Sequence, residues 1–277
     1  MRFKFNFNER TDMLPVLDAY LATQFAKNFT AALEIGVYKG GWLFTIIDNN
    51  SSIVTIGIDP YPNLEIIRKS FTNECARLDL KERVCLYSSF NELLDSKNNL
   101  VTYDMIHLDG EHSQSQVNQD LKNLLPLLKE NGILIIDDIF YHSYPGVTAA
   151  AFSFIKDNKL SPFLFTEKKI YICKPSFYTQ YYEKTISILN SIKINYEENE
   201  KLNSEVSYAQ SNSIFGYNLI ITPEKLKSKE IVNMLQVMNL DLPLSIKIKN
   251  IFRNLLPPKL LELVQFSKAK LIQKKLL

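Results

Sequence analysis

One stretch of the sequence combines glycines with acids in a pattern that can bind a nucleotide-like ligand. Residues 34–41 (EIGVYKGG) follow a short apolar run, and Asp59 ends the next run. Glycines at a strand-to-helix turn let backbone N–H groups approach a ligand closely. A carboxylate at the following strand end can accept hydrogen bonds from ribose hydroxyls. With Glu34 beside the first glycine, the pattern predicts a ligand that has a ribose and a cationic amino-acid end.

A second group of acids closes two later apolar runs. Asp109 lies in DMIHLDGEH (104–112), and Asp137 and Asp138 follow ILII one predicted helix later. The carboxyl ends of parallel strands meet at one edge of a sheet, so we expect the three carboxylates to converge. Like charges raise each other's pKa unless a cation neutralises them, and oxygen ligands select a hard ion such as Mg²⁺. The sequence therefore predicts a metal site that holds and acidifies a substrate hydroxyl.

Three residues near these acids are candidates for a general base. His112 lies three positions beyond Asp109, and an ordinary histidine pKa of about 6.5 suits proton transfer near neutrality. Glu111 and His142 are alternatives to it. His107 falls inside a predicted strand, so we expect a buried histidine with satisfied hydrogen bonds.

Short apolar runs alternate with segments of helical periodicity from about residue 30 to 175, which is typical of βαβ units. The predicted strands are 31–35, 53–59, 83–88, 103–109 and 132–137, followed by 161–166 and 169–174. Only Glu167-Lys168 separates the last two, so they must form an antiparallel hairpin. The pattern predicts an α/β fold with a doubly wound, mostly parallel, seven-stranded sheet and a ligand crevice at the carboxyl ends of its strands.

Helix signals fill the intervals between these strands. Ser113 is a plausible N-cap for a helix over 113–129, and Pro126 predicts a kink or an early end there. Pro145 can open a further helix at its first position. Residues 11–28 resemble an amphipathic helix, which either caps the ligand side or simply packs on the core.

Composition limits the class of protein. The chain has 277 residues, 46% of them hydrophobic and 22% charged, and no apolar run is long enough to span a bilayer. The start of the chain lacks the pattern of a secretory signal, which favours a cytoplasmic protein. The three cysteines (Cys75, Cys85 and Cys173) are widely spaced, so we expect reduced thiols rather than disulfides or a zinc site.

Basic residues concentrate at the end of the chain. Residues 240–277 hold eight Lys and Arg but only Asp241 and Glu262 as acids. We place a domain boundary near Pro175, which separates an α/β domain over 1–175 from a partly helical, basic C-terminal extension over 176–277. Two basic amphipathic helices in 243–277 can pack on the core, form a homo-oligomer or lie on the inner face of an anionic membrane. The pattern gives no support for nucleic-acid binding.

The stretch from about 31 to 174 resembles the class I S-adenosylmethionine (SAM)-dependent methyltransferases, in particular the branch with a strand-end Asp-Gly-x-His and a later Asp-Asp. The residues that carry the resemblance are 34–41, Ile58-Asp59, 106–112, and Asp137-Asp138 followed by Pro145-Gly146-Val147. Relatives have a small hydroxyl residue directly after the double glycine, whereas this chain has Trp42, its only tryptophan.

The resemblance implies roles for individual residues. Contacts with SAM are implied for Glu34, Gly36, Tyr38, Gly40, Asp59 and Asp109, and Ser89 would lie near the adenine. A divalent cation such as Mg²⁺ would bind Asp109, Asp137 and Asp138. Similar enzymes include metal-dependent O-methyltransferases of sugars, which makes a hydroxyl of a sugar, glycan or glycolipid the expected acceptor.

Alternative functions stay open on the sequence. The first is a metal-independent small-molecule methyltransferase that uses the same pocket, and the second is a methyltransferase-like protein that has lost catalysis and serves as a binding partner. An NAD-dependent oxidoreductase is disfavoured, because the gap between Gly36 and Gly40 is longer than in dinucleotide loops and three acids follow.

Overall fold

The computed structural model describes residues 4, 15–61, 64–96, 102–166, 168–191 and 213–222. Its helices are α1 (Val16–Ala26), α2 (Gly41–Asn49), α3 (Glu65–Arg77), α4 (Phe90–Asp95), α5 (Gln114–Leu124), α6 (Pro145–Asp157) and α7 (Tyr178–Ser191). Its strands are β1 (Ala31–Ile35), β2 (Val54–Ile58), β3 (Val84–Tyr87), β4 (Tyr103–Leu108), β5 (Leu128–Ile136), β6 (Ser161–Phe165), β7 (Ile170–Cys173), β8 (Ser213–Ile214), β9 (Tyr217–Asn218) and β10 (Ile220–Ile221).

The main sheet confirms the predicted α/β class. Its strand order is β10-β6-β7-β5-β4-β1-β2-β3, with β1 to β5 parallel and β7 antiparallel to both β5 and β6. The strand order reverses between β1 and β4, where Ile35 pairs with Leu108. A crevice at this reversal, outside the carboxyl ends of the strands, is the usual ligand site of doubly wound sheets.

The sheet has eight strands rather than the seven predicted. The additional strand, β10, comes from the C-terminal extension and pairs in parallel with the outer strand, Ile220 opposite Leu164. Two residues with little periodicity of their own cannot be recognised as a strand from sequence. They form one because β6 otherwise leaves an edge with unpaired backbone groups.

The helix predicted over 113–129 ends early, as Pro126 suggested. Ser113 caps α5, its hydroxyl accepting a hydrogen bond from the backbone N–H of Gln116 at 3.3 Å. The helix stops at Leu124, and a single 3-10 turn containing Pro126 leads into β5. β5 therefore starts four residues before the predicted 132, and Lys129 at its beginning pairs with Asp104 at 2.8 Å.

Within the described residues, the helix predicted over 11–28 is present as α1, which is buried on nearly every side. Leu21, Ala22 and Phe25 have no solvent exposure, and the neighbouring Asp18 is buried as well. Phe25 packs edge-on against Phe163 of β6 at 5.8 Å. The helix is therefore a packing helix rather than an amphipathic cap over the ligand side.

Helix α7 also packs on the sheet, although it lies beyond the predicted boundary at 175. Tyr181 stacks on Phe163 at 5.4 Å, and its hydroxyl donates to the carbonyl of Asn131. Of the helices in the described residues, none combines the length and the apolarity that crossing a membrane requires. The two basic helices predicted in 243–277 lie outside the described residues, so their role stays a prediction.

Candidate functional site

The turn after β1 lies directly against the end of β4. Gly36 has φ +82°, and a Cβ atom built on it would lie 1.8 Å from the carbonyl oxygen of Asp109. The N–H of Asp109 in turn donates to the carbonyl of Ile35 at 2.9 Å. Only glycine permits both this backbone conformation and this approach. The predicted ligand loop and the first predicted metal ligand are therefore adjacent.

Gly40 ends the loop and begins α2. Its φ is +78°, and a Cβ there would come within 2.7 Å of the rings of Phe44 and Phe71. Tyr38, midway in the loop, also has a positive φ of 47° and is 42% exposed. The loop thus presents its backbone at the N-terminus of a helix, which suits a ligand with polar or anionic groups.

Asp59 fixes this loop through both carboxylate oxygens. Oδ2 accepts a hydrogen bond from the N–H of Tyr38 at 2.8 Å, and Oδ1 accepts one from Tyr61 at 2.7 Å. The buried Tyr61 completes the contact by donating its hydroxyl to the carbonyl of Tyr38 at 2.8 Å. Each carboxylate oxygen keeps a further lone pair, so Asp59 can still accept from ribose hydroxyls.

Glu34 is buried below the loop and pairs with His107. Glu34 Oε1 lies 3.0 Å from His107 Nδ1, while Oε2 has no hydrogen-bond partner among the described residues. Burial raises the pKa of Glu34 to about 7, although the contact with His107 opposes the shift. His107 is buried as predicted, and Trp42 stacks on its ring at 4.9 Å. Trp42 is therefore part of the packing beneath the loop.

Ser89 is the N-cap of α4. Its hydroxyl accepts a hydrogen bond from the N–H of Glu92 at 3.2 Å. The residue follows β3 at the same sheet edge as Asp59, whose N–H donates to the carbonyl of Tyr87. This position is compatible with the predicted contact to an adenine. Ser89 also has a structural role as the N-cap, which does not require a ligand.

A lysine that the sequence interpretation did not include lies between the two predicted sites. Lys169 is almost fully buried, and its ammonium group donates to Asp137 Oδ2 and lies 3.1 Å from His107 Nε2. A lysine has only donors, so His107 must accept at Nε2 and donate from Nδ1 to Glu34. Burial and the charge of Lys169 lower the pKa of His107, which agrees with a neutral ring.

The position of Lys169 follows from the hairpin. Because β7 runs antiparallel to β5, the residue before β7 lies at the edge where the parallel strands end. The adjacent Lys168 is 41% exposed at its side chain, as expected for a turn, whereas Lys169 points into the crevice. Placing the start of β7 on the site edge would have singled out Lys169 from the sequence.

The three predicted metal ligands divide between two clusters that share Asp109. One cluster contains His107, Asp109 and Asp137, and the other contains Asp109, His112 and Asp138. Within each, the potential ligand atoms lie within 4.8 Å of one another. The structure therefore brings the acids to one edge, as predicted, but adds a histidine to each cluster.

His112 lies between two carboxylates. Its Nε2 is 3.1 Å from Asp138 Oδ2 and 3.8 Å from Asp109 Oδ1, and its ring stacks on Tyr144 at 4.0 Å. These carboxylates raise the pKa of His112 to about 9. Burial acts to raise the pKa of Asp109, but His112 and Lys169 outweigh burial and lower it. A pKa of about 9 favours a protonated His112 at neutral pH, and its role as the general base stays a prediction.

The other two base candidates lie at the rim. Glu111 accepts a hydrogen bond from the N–H of Ser113 at 3.2 Å, which turns its carboxylate towards the start of α5. The exposed His142 has its Nε2 3.2 Å from the hydroxyl of Ser143 and its ring 4.9 Å from that of Tyr141. Either group can still meet a substrate that enters from solvent.

The sequence of this region matches a known family. Residues 33–139, well over a third of the chain, match the family model described as a methyltransferase domain. A protein of Acanthamoeba polyphaga mimivirus, itself named as uncharacterized, is 27% identical over 157 residues, which are 52% of this chain and 69% of that relative.

Solved structures with a similar fold include two O-methyltransferases. One, from Bacillus cereus in complex with S-adenosylhomocysteine (SAH), has a TM-score of 0.48 at 15% identity and covers 61% of this chain and 85% of that chain. CalS11, a TDP-rhamnose 3'-O-methyltransferase of calicheamicin biosynthesis, has a TM-score of 0.47 at 16% identity, with 60% and 82% covered. The match to a methyltransferase domain over residues 33–139 thus includes the glycine loop after β1 and the acids at the ends of β4 and β5.

Proposed function

We propose that the enzyme transfers a methyl group from SAM to a hydroxyl of a sugar, glycan or glycolipid acceptor, with the help of a divalent cation. The observation that carries the proposal is the contact of Gly36 with the backbone of Asp109. It makes the cofactor loop and the acidic clusters two walls of one crevice. A methyl donor on the loop would therefore face an acceptor held by the acids.

Glu34 and Asp59 supply the cofactor contacts in this proposal. The unpartnered Oε2 of Glu34 is a buried acceptor, and an ammonium group of the SAM amino-acid end would satisfy it. Such a cation would also stabilise the ionised carboxylate, whose pKa burial otherwise raises. Asp59, already fixed by two backbone N–H groups, would accept from the ribose without having to be reorganised.

The donor atoms around Asp109 fit a divalent cation. His112 Nε2 is buried and makes no aligned hydrogen bond among the described residues, although two carboxylates lie close to it. Asp109, His112 and Asp138 would hold the ion, with Asp137 adjacent. When bound, a divalent cation would polarise the acceptor hydroxyl and lower its pKa.

The acceptor would lie over the aromatic rim of the crevice. Tyr144 stacks on His112, and Phe140, with φ +59°, is 60% exposed directly after the acids. Aromatic faces of this kind can contact the apolar face of a sugar ring. Glu111 or His142 would take the hydroxyl proton, because His112 is already protonated or would be bound to the cation.

Location and partners belong to the same proposal. We propose a cytoplasmic enzyme whose basic residues 243–277 contact an anionic membrane surface or a second copy of the chain, which would bring it to a glycolipid acceptor. Nucleic acid is not a proposed partner. Flotation of the purified chain with anionic and neutral vesicles, with and without residues 240–277, tests the membrane contact.

Methyl transfer from labelled SAM to a panel of sugar nucleotides and glycolipids tests the activity. We expect transfer that EDTA abolishes, that Mg²⁺ or Mn²⁺ restores, and that Asp138→Asn lowers at least ~100-fold. Transfer that is unchanged in EDTA would favour the metal-independent alternative. Failure of the wild type to bind SAH would favour the protein that has lost catalysis.

A further inference from the structure

We propose that the ammonium group of Lys169 takes the place beside Asp137 that a metal ion would otherwise occupy. The divalent ion is then held by Asp109, His112 and Asp138, so that an imidazole nitrogen is among its ligands. The inference rests on the proposed use of a cation. It differs from the site of three carboxylates that the sequence predicts, because one of those carboxylates is already neutralised from within the protein.

Each oxygen of Asp137 already accepts one hydrogen bond, and one of the two donors is a cation. Oδ1 accepts the N–H of Asp138 at 2.7 Å, and Oδ2 accepts the ammonium group of Lys169. Lys169 comes from the hairpin and is buried, so it does not leave the crevice by turning into solvent. A divalent ion on Asp137 would have to displace a buried ammonium group or lie directly beside it. Like charges in contact away from water are strongly unfavourable.

The histidine of the same cluster, His107, also has no ring nitrogen available for a metal ion. His107 Nε2 faces the ammonium group of Lys169 at 3.1 Å, and Nδ1 faces Glu34 at 3.0 Å. Both ring nitrogens therefore have partners within the protein. Glu34, His107, Lys169 and Asp137 thus form a continuous hydrogen-bonded network that runs from the cofactor side to the acids.

The neighbouring cluster differs, because the lysine beside it, Lys168, is 41% exposed and lies 3.7 Å from Asp138 Oδ1, so it can turn into solvent. His112 Nε2 and one oxygen each of Asp109 and Asp138 face one another, and the nitrogen has no aligned hydrogen bond among the described residues. Tyr144 stacks on one face of the imidazole ring, and this contact fixes the direction in which Nε2 points. A dication at this point would replace the proton on His112 and meet three ligands already in position.

The donor types predict which ions bind. Mg²⁺ prefers oxygen ligands in a strict octahedron, whereas a site with one imidazole and two carboxylates binds Mn²⁺, Co²⁺ or Zn²⁺ more tightly. We expect Mg²⁺ to bind this site at least ~10-fold more weakly than Mn²⁺ does. The three donor groups therefore determine which class of ion the site prefers.

Titration of Mn²⁺ followed by EPR, on the full chain with SAH, tests the assignment. We expect one bound Mn²⁺ per chain, with nitrogen hyperfine coupling in pulsed spectra that His112→Gln removes. Asp138→Asn, which keeps the shape and suits the positive φ of 56° at this residue, should weaken binding at least ~10-fold. Asp137→Asn is the matched variant and should weaken Mn²⁺ binding clearly less than Asp138→Asn does, because it leaves the Lys169 charge uncompensated but removes no ligand.

Lys169→Met provides a second comparison, with Lys174→Met as its control, because Lys174 pairs with Glu130 and not with the acids of the two clusters. Removing Lys169 should free Asp137 and tighten Mn²⁺ binding more than removing Lys174 does. If Lys169→Met does not fold, the difference in Mn²⁺ affinity between Asp137→Asn and Asp138→Asn still tests the ligand assignment. Equal weakening by Asp137→Asn and Asp138→Asn, or the absence of nitrogen coupling, would overturn the inference while leaving the proposed function intact. No Mn²⁺ binding by a wild type that binds SAH would overturn it together with the cation requirement.

Discussion

Gly36 and Asp109 touch through their backbones, and this contact joins the cofactor loop to the acidic edge of the sheet. A methyl group at Gly36 would lie 1.8 Å from the carbonyl oxygen of Asp109, at a backbone φ of +82°. The neighbouring strands β1 and β4 cannot separate to relieve it, since they pair through the centre of the sheet. The distance between the two halves of the site is therefore built into the sheet.

The first prediction concerns that contact. Gly36→Ala should lower the free energy of unfolding by at least about 3 kcal/mol, because it combines a positive φ with a backbone clash. Gly216→Ala is a matched control, since Gly216 has φ +85° but nothing within 4 Å of the added atom. It should cost only about 1 kcal/mol. Denaturant unfolding of both variants measures the difference, and equal losses would show that the contact is not tight.

The second prediction separates the two roles of Ser89. Ser89→Ala removes an N-cap and should cost about 1 kcal/mol, and Ser113→Ala should cost the same at α5. Only Ser89→Ala should also weaken SAH binding, because Ser89 lies at the proposed adenine end of the crevice. Calorimetry with SAH on both variants gives the comparison. A similar SAH affinity in the two would remove Ser89 from the cofactor site.

The third prediction uses the buried carboxyl of Glu34. Its pKa rises from 4.5 to about 7 on burial, so between these values the folded state keeps a proton that the unfolded state has lost. The free energy of unfolding should therefore fall as the pH rises from 4.5 to 7, by on the order of 2 to 3 kcal/mol. Glu34→Gln should remove this fall and stabilise the ligand-free protein above pH 7.

The same variant should bind SAM more weakly, because a neutral amide replaces the carboxylate proposed to face the ammonium group. Glu130→Gln changes an exposed glutamate and is the control. Unfolding at a series of pH values and calorimetry with SAM provide the two measurements. An unchanged pH dependence in Glu34→Gln would contradict the burial argument, and unchanged affinity would contradict the cofactor contact.

The fourth prediction concerns His112 in metal-free protein. Its pKa rises from 6.5 to about 9 between two carboxylates, so the contact stabilises the fold fully below pH 6.5. That stabilisation should be lost as the pH rises through about 9. His112→Gln should therefore flatten the fall in unfolding free energy over this window in EDTA, and His142→Gln should not. A parallel fall in wild type and His112→Gln would refute the assignment.

The fifth prediction addresses the general base. Glu111→Gln and His142→Gln change the two candidates that remain at the rim, and one of them should lower kcat by roughly 100-fold or more with little change in KM. The pH dependence of kcat should lose its rising limb in that variant only. If both variants keep full kcat, the acceptor proton leaves by another route.

Much of the fold could be predicted from residue patterns alone. Alternating apolar runs and helices located strands β1 to β7 to within a few residues, and Ser113, Pro126 and Pro145 marked helix boundaries because capping and proline geometry act locally. Strand β10 could not be predicted, because two residues pair only where another edge is already present.

The candidate site was predictable to a similar degree. Strand-end acids and glycines were informative, because the sheet must bring the carboxyl ends of its strands together. Lys169 was missed because a lysine beside a two-residue turn is ordinarily exposed, and its burial depends on the direction of β7. The raised pKa of His112 likewise depends on Asp109 and on Asp138, and Asp138 is distant in sequence and approaches only in the folded chain.

Calorimetric titration of the full chain with SAH tests the central claim, which is that the crevice between Gly36 and Asp109 is a SAM site. The account predicts binding of one SAH per chain, weakened at least ~10-fold by Asp59→Ala, which removes the proposed acceptor for the ribose hydroxyls. It also predicts affinity within about threefold of wild type for Glu130→Gln, far from the crevice. Absence of binding to the folded wild type at millimolar SAH would contradict the account.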